Sequence, residues 1–163
     1  MAGDRCYENY EIGEQHHSRA RTTTDADIRM IIGAAACDHP NHTDAVFTAN
    51  HPIFRAPCTP GVLVLSMADG FFIDAMSMNM RLPLSYGYDR VRFLKPVYPG
   101  DTLRADLEVV AKRVKNNDWG IVDVQLEVLN QDDVLVAVLV HKLLVLRRGS
   151  SIEAPRYQSE ATA

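Results

Sequence analysis

The hydrophobic pattern changes period partway along the chain. In the first third, apolar Ile28, Ile31, Ile32, Ala35 and Ala36 recur at helical spacing. Thr24 just before them can cap that helix, and Asp25 and Asp27 in its first turn favour the dipole. Pro40 disfavours helical backbone at His39, so the helix should end near Asp38. A short helix is expected over residues 44–49. Residues 59–76 are apolar on nearly every side and are interrupted by a carboxylate, Asp69, the pattern of a long buried helix. Thr59 is expected as its N-cap and Pro60 as its first helical residue, where the missing N–H costs nothing.

Beyond residue 84 the period becomes two. Residues 84–97 read as a strand with an irregularity at Gly87. Residues 102–114 alternate Leu103, Ala105, Leu107 and Val109 with Arg104, Asp106 and Glu108, the pattern of a half-buried strand. Residues 119–129 alternate again, and residues 134–146 are apolar on both faces, as a covered central strand would be. Pro99-Gly100 and the Asn/Asp-rich stretches at 115–118 and 130–133 supply the turns. Residues 16–24 read as a short first strand, with Tyr7, Tyr10 and Ile12 anchoring the polar segment ahead of it. An antiparallel sheet wrapped around the long helix buries these faces most economically, which makes the fold class α+β.

Composition narrows the function. The chain has 163 residues, 47% of them apolar and 23% charged, as expected for one globular domain over 1–163. Its core is expected over about 10–147, with a frayed polar tail over 150–163. A net charge of −4 argues against a general nucleic-acid partner. No apolar run is long enough to span a membrane, and residues 1–15 contain no apolar signal core. Cys6, Cys37 and Cys58 have no metal-type spacing, and their odd number does not suggest a disulfide framework. The expectation is a cytoplasmic protein with no metal and no bound cofactor.

Two stretches carry chemistry. Cys37-Asp38-His39-Pro40-Asn41-His42-Thr43-Asp44 is the densest cluster of acid–base groups. Gly61, lacking a side chain at the positive end of the long helix, can present its N–H to a carbonyl oxygen.

Three stretches together resemble the MaoC-like dehydratases, which include R-specific enoyl-CoA hydratases: Thr22-Thr23-Thr24-Asp25-Ala26-Asp27-Ile28 followed by Asp38-His39-Pro40-Asn41-His42-Thr43-Asp44, then Thr59-Pro60-Gly61-Val62-Leu63-Val64-Leu65-Ser66, then Val91-Arg92-Phe93-Leu94-Lys95-Pro96-Val97-Tyr98-Pro99-Gly100-Asp101-Thr102-Leu103. The resemblance covers roughly residues 10–147. It implies a hotdog fold, usually dimeric or a higher homo-oligomer. It also implies a hydro-lyase that hydrates a 2-enoyl thioester or dehydrates a 3-hydroxyacyl thioester, carried on coenzyme A or an acyl carrier protein. By motif position His42 is the base and Gly61 the donor to the thioester oxygen, with Thr59, Pro60 and Val62 around the substrate. The family's carboxylate has three candidates here. The ungapped spacing lands on Cys37, Asp38 lies one residue nearer His42, and Asp69 projects from the long helix. If the segment is helical, Asp38 and His42 share a face. Two other functions fit the same residues: a thioesterase in which Asp69 activates water, and a non-catalytic acyl-thioester-binding subunit.

Overall fold

The computed structural model describes residues 5–77 and 80–153; most of the tail expected over 150–163 lies outside the described residues. The described residues form one antiparallel sheet of six strands, with the long helix packed against it. A 3-10 turn, Tyr7–Asn9, precedes the first strands, β1 (Gln15–His17) and β2 (Arg21–Thr22). Helices α1 (Asp25–Ala35), α2 (Pro40–Thr43), α3 (Ala45–Ala49) and α4 (Gly61–Ala75) follow. The long strands are β3 (Leu84–Phe93), β4 (Thr102–Val114), β5 (Trp119–Leu129) and β6 (Leu135–Leu146). The sheet order is β1-β4-β5-β6-β3, with β2 also on β4. β4, β5 and β6 begin and end within a residue of their expected bounds, because a period of two is easy to read where one face is buried. The first strand is instead split at residues 18–20, where Ser18 N–H and Ser18 Oγ both bond the backbone of Ala105.

Thr24 caps α1 as expected: its hydroxyl accepts the Asp27 N–H, and the Asp27 carboxylate accepts the Thr24 N–H at 3.0 Å. The helix stops at Ala35 because Ala36 turns left-handed, with φ 51°. α4 begins one residue later than expected. Pro60, not Thr59, is its N-cap, and no side chain caps it. Leu63 N–H and Val64 N–H reach back to Pro60 O, while Thr59 N–H is taken by Val97 O at 2.7 Å. Thr59 is thereby tied to the segment after β3 rather than to the helix.

One face of α4 packs on the sheet through Leu63, Val64, Met67, Ala68, Phe71 and Phe72. Burial of each large apolar side chain contributes about 1.5–3 kcal/mol. The helix is not covered on every side. Val62 and Ile73, each 46% exposed, flank Ser66 and Gly70 on an open stripe. Tyr7 and Tyr10 join the same core, whereas Ile12 is exposed. Gly120 in β5 lies directly under Tyr7; a Cβ there would sit 2.1 Å from the ring.

β3 is an edge strand. Its register on β6 breaks between Ser85 and Gly87, the expected irregularity, and again between Asp89 and Arg92. It ends at Phe93, short of 97, because Leu94 N–H and Lys95 N–H both turn to Val136 O. That turn carries the chain past the start of α4.

Candidate active site

The segment after α1 is held by its own side chains. His39 Nδ1 accepts the Asn41 N–H at 3.2 Å, Pro40 occupies the first turn of α2, and the Thr43 hydroxyl donates to the carbonyls of Asp38 and His39. α2 is then clipped to the approach to α4. Cys58 N–H donates to Asn41 O at 2.9 Å, and the His42 ring donates from Nδ1 to Cys58 O at 2.7 Å. A carbonyl can only accept, so this bond places the proton on Nδ1 and leaves Nε2 as the basic nitrogen. The Cys58 thiol lies 3.7 Å from the same Nδ1, and burial pushes its pKa up, so it stays protonated.

His42, Cys58, Thr59 and Gly61 line one cavity of about 300 Å³. The remaining wall is mostly apolar, formed by Ile53, Phe54, Val64, Phe93, Leu94, Pro96, Val97 and Val136, with Lys95 among them. Gly61 and Val62 sit in the first turn of α4, where their N–H groups have no helical acceptor. The positive end of a 15-residue helix therefore opens beside His42. A side chain at residue 61 would not fit: a Cβ would stand 2.6 Å from Phe93 Cε2. Thr59 is 6% exposed, and its Oγ1 has no hydrogen-bond partner among the described residues. Leaving such a hydroxyl unpaired costs about 1–3 kcal/mol.

The structure brings together three of the expected site residues, His42, Gly61 and Thr59. Pro60 is buried behind them as the helix cap, and Val62 lies on the open stripe of α4; neither lines the cavity. Asp38 does not line it either. α2 begins only at Pro40, so Asp38 falls outside the helix, is exposed, and does not share a helical face with His42. Cys37 turns back toward α1, with Sγ 3.7 Å from Ile31 O. No acidic residue is among those lining the cavity.

Asp69 belongs to a second cluster. Tyr88 Oη donates to Asp69 Oδ1 at 2.8 Å, and His141 Nδ1 lies 3.6 Å from the same oxygen, too far to count as bonded. His141 Nε2 meets Ser85 Oγ at 2.9 Å, its ring stacks on Tyr88 with centroids 4.4 Å apart, and Phe72 of α4 meets it edge-on. The ring is 1% exposed. Burial depresses its pKa, with Asp69 pulling weakly the other way, and keeps it neutral. This cluster ties α4 to β6 and β3.

Residues 9–130 match the sequence profile of the MaoC like domain, three quarters of the chain. The chain belongs to the MaoC-like domain family. A mesaconyl-CoA hydratase of Cereibacter sphaeroides is 29% identical over 153 residues, which are 93% of this chain and 44% of that protein. The chain thus spans less than half the length of this relative. Among solved structures, the monoamine oxidase regulatory protein of Archaeoglobus fulgius superposes with a TM-score of 0.78 at 34% identity, covering 88% of this chain and 95% of that one. A Mycobacterium tuberculosis protein described as a double hotdog fold superposes with a TM-score of 0.71 at 16% identity, covering 99% of this chain and 52% of its own. The MaoC-like chain therefore has the hotdog fold expected from the sequence. None of its described helices is long and apolar enough to cross a membrane.

The apolar wall was not foreseen. The sequence predicts no role for Phe54, and places Phe93, Lys95 and Val97 only within the 91–103 stretch that carries the family resemblance. The available signal was Phe93 and Leu94, two large apolar residues at the end of an edge strand, where a solvated turn would carry polar ones.

Proposed function

We propose that the chain hydrates a 2-enoyl thioester, or dehydrates the corresponding 3-hydroxyacyl thioester, in the cavity between α2 and the start of α4. One observation carries this reading: His42 is held through Nδ1 by Cys58 O, so its basic nitrogen is free in a cavity that also holds Gly61 at an uncapped helix end. His42 Nε2 takes a proton from water as the oxygen adds to C3 of the enoyl group. The negative charge moves to the thioester oxygen, where the Gly61 N–H and the helix dipole stabilise it. Protonation of C2 completes the addition. The thioester, on coenzyme A or a carrier protein, is the substrate, and the reaction so written needs no cofactor. That a similar protein is named a mesaconyl-CoA hydratase supports the reaction class.

A second copy of the chain belongs to the proposal. The open stripe of α4 and the exposed Tyr86 and Phe93 on edge strand β3 leave apolar surface for it, and the chain corresponds to 44% of the hydratase it resembles.

The test is incubation of the purified chain with crotonyl-CoA and with longer and branched enoyl-CoAs. Loss of the enoyl absorbance with formation of the 3-hydroxyacyl thioester is the expected result. Release of free thiol with the double bond intact would replace this reading with the thioesterase, although Asp69 lies outside the cavity. Binding of acyl-CoA without turnover would favour the non-catalytic subunit, the reading that the cavity's lack of an acidic residue supports.

A further inference from the structure

Ile53 and Phe54 form part of the cavity wall, yet the segment they belong to has no regular secondary structure. Among the described residues, no backbone N–H of residues 52–57 reaches a backbone carbonyl. Three of them are held by side chains instead. His51 Nδ1 accepts the N–H of Ile53 at 3.2 Å and that of Phe54 at 3.3 Å, and Tyr98 Oη accepts that of Arg55 at 3.2 Å. The His51 ring also stacks on the Phe54 ring, with centroids 4.5 Å apart. His51 is itself anchored to α3, where its N–H donates to Thr48 O at 3.1 Å. One imidazole thus joins α3 to this part of the wall.

We infer that His51 is the pH-sensitive fastening of this wall: neutral, it holds Ile53 and Phe54 in place around a bound acyl thioester, and protonated, it releases them. This rests on the reading of the cavity as an acyl-thioester site. A nitrogen that accepts carries no proton, so the neutral ring keeps its proton on Nε2, the reverse of His42. Imidazole gains its second proton in the mildly acidic range, and here the vacant nitrogen is Nδ1. An imidazolium has donors only, so two backbone N–H groups would then face a third N–H. The segment would be left to Tyr98 alone. The groups around the ring offer no counter-charge that would keep it in place. Phe47 of α3 and Phe54 flank it, and His39 meets Phe47 edge-on, with centroids 6.3 Å apart. Asp44 is turned to the N–H groups of Val46 and Phe47, Arg55 lies over the Tyr98 ring, and His42 and Lys95 share the cavity wall with Ile53 and Phe54. His51 touches no reacting atom; it is a positioning residue.

The test measures Kd for butyryl-CoA, a saturated thioester that cannot be hydrated, at pH 7.5 and 5.5 in the full chain, with kcat for crotonyl-CoA hydration alongside. The variants are His51→Asn and His51→Phe. Asparagine can accept the N–H two residues on and does not titrate. Phenylalanine keeps a ring to stack on Phe54 and offers no acceptor. Each variant is read as a ratio to the wild type at the same pH, which cancels the groups they share, His42 among them. At pH 7.5 His51→Asn should bind as the wild type does. His51→Phe should bind about 10-fold more weakly, the result of leaving the wall closed in about one molecule in ten. At pH 5.5 His51→Asn should bind about 5-fold more tightly than the wild type, and His51→Phe should come within about twofold of it. Both variants should keep the wild-type kcat at pH 7.5. A His51→Phe enzyme that binds as tightly as the wild type at pH 7.5, or a His51→Asn enzyme that weakens with the wild type at pH 5.5, would overturn the inference, while hydration of crotonyl-CoA would leave the hydratase reading standing. The expected ratios without hydration would do the opposite, and no binding of butyryl-CoA at either pH would overturn both. If His51→Phe fails to fold, the comparison with His51→Asn decides alone.

Discussion

His42 and His141 divide between them what a histidine site usually combines. His42 has a cavity, a helix end and a free ring nitrogen, and no acidic residue lines its cavity. His141 has a nearby aspartate, a serine on the correct nitrogen and a stacked tyrosine, yet it is sealed in the core and lines no described cavity. Judged by side-chain partners alone, His141 would be taken for the catalytic one. Access decides otherwise. A base must reach a substrate, and the ring held by a backbone carbonyl can do so while the ring held by side chains cannot. The His141 cluster instead fixes α4 against β6 and β3.

The sharpest way to break this contrast is to remove each ring. His42→Ala should cost about 10²- to 10⁴-fold in kcat for enoyl-CoA hydration while leaving the melting temperature near that of the wild type. His141→Gln should do the reverse, lowering the melting temperature with little change in kcat at temperatures where the enzyme is folded. Equal kcat losses in both would end the division of labour. Next in size is Gly61→Ala. The added methyl must displace the Phe93 ring, so a loss of about 100-fold is expected from misplacement at the oxyanion site, with a smaller effect on stability. Tyr88→Phe removes the hydroxyl that holds Asp69 and should cost about 1 kcal/mol in chemical denaturation, with kcat unchanged.

The smallest effect is one of pH. The folded-state pKa of His141 lies below the ordinary 6.5, chiefly through burial. The unfolded chain therefore binds a proton first as pH falls. The contribution of the neutral ring is complete above about 6.5 and is lost as pH falls from there through the lower folded-state pKa. Melting curves from pH 7.5 down to 5.5 should slope downward in the wild type, and this part of the slope should vanish in His141→Gln. Glu14 titrates in a different window. Its bond to Arg5 holds its pKa at about 2, so its contribution is complete above its ordinary 4.5 and is lost only between there and 2.

The fold was legible wherever burial imposed a period. β4 and β5 could be bounded from alternation alone, and the start of α1 from its cap; its end, expected near Asp38, comes at Ala35, where Ala36 turns left-handed. Thr59 was misassigned because its residue type suits an N-cap, while its actual partner, Val97 O, is 38 residues away and leaves no local trace. The site was half legible. His42 and Gly61 follow from motif and helix chemistry. Asp38 failed because proximity in sequence to His42 says nothing once α2 begins between them at Pro40. The cluster around Asp69 was out of reach for the same reason as Thr59: Ser85, Tyr88 and His141 come from two other elements, and only the β3–β6 register sets Tyr88 opposite His141.

The ring of Tyr7 seated on Gly120 has a consequence for how this chain can vary. A substitution at residue 120 is blocked while the tyrosine is present, and loss of the tyrosine leaves a hollow that a larger residue at 120 could fill. The two positions are thus a single heritable unit, and change at either one is conditional on the other. Descendants of this sequence should keep both or exchange both, so that covariation between residues 7 and 120 would trace how the N-terminal segment came to be fastened to the sheet.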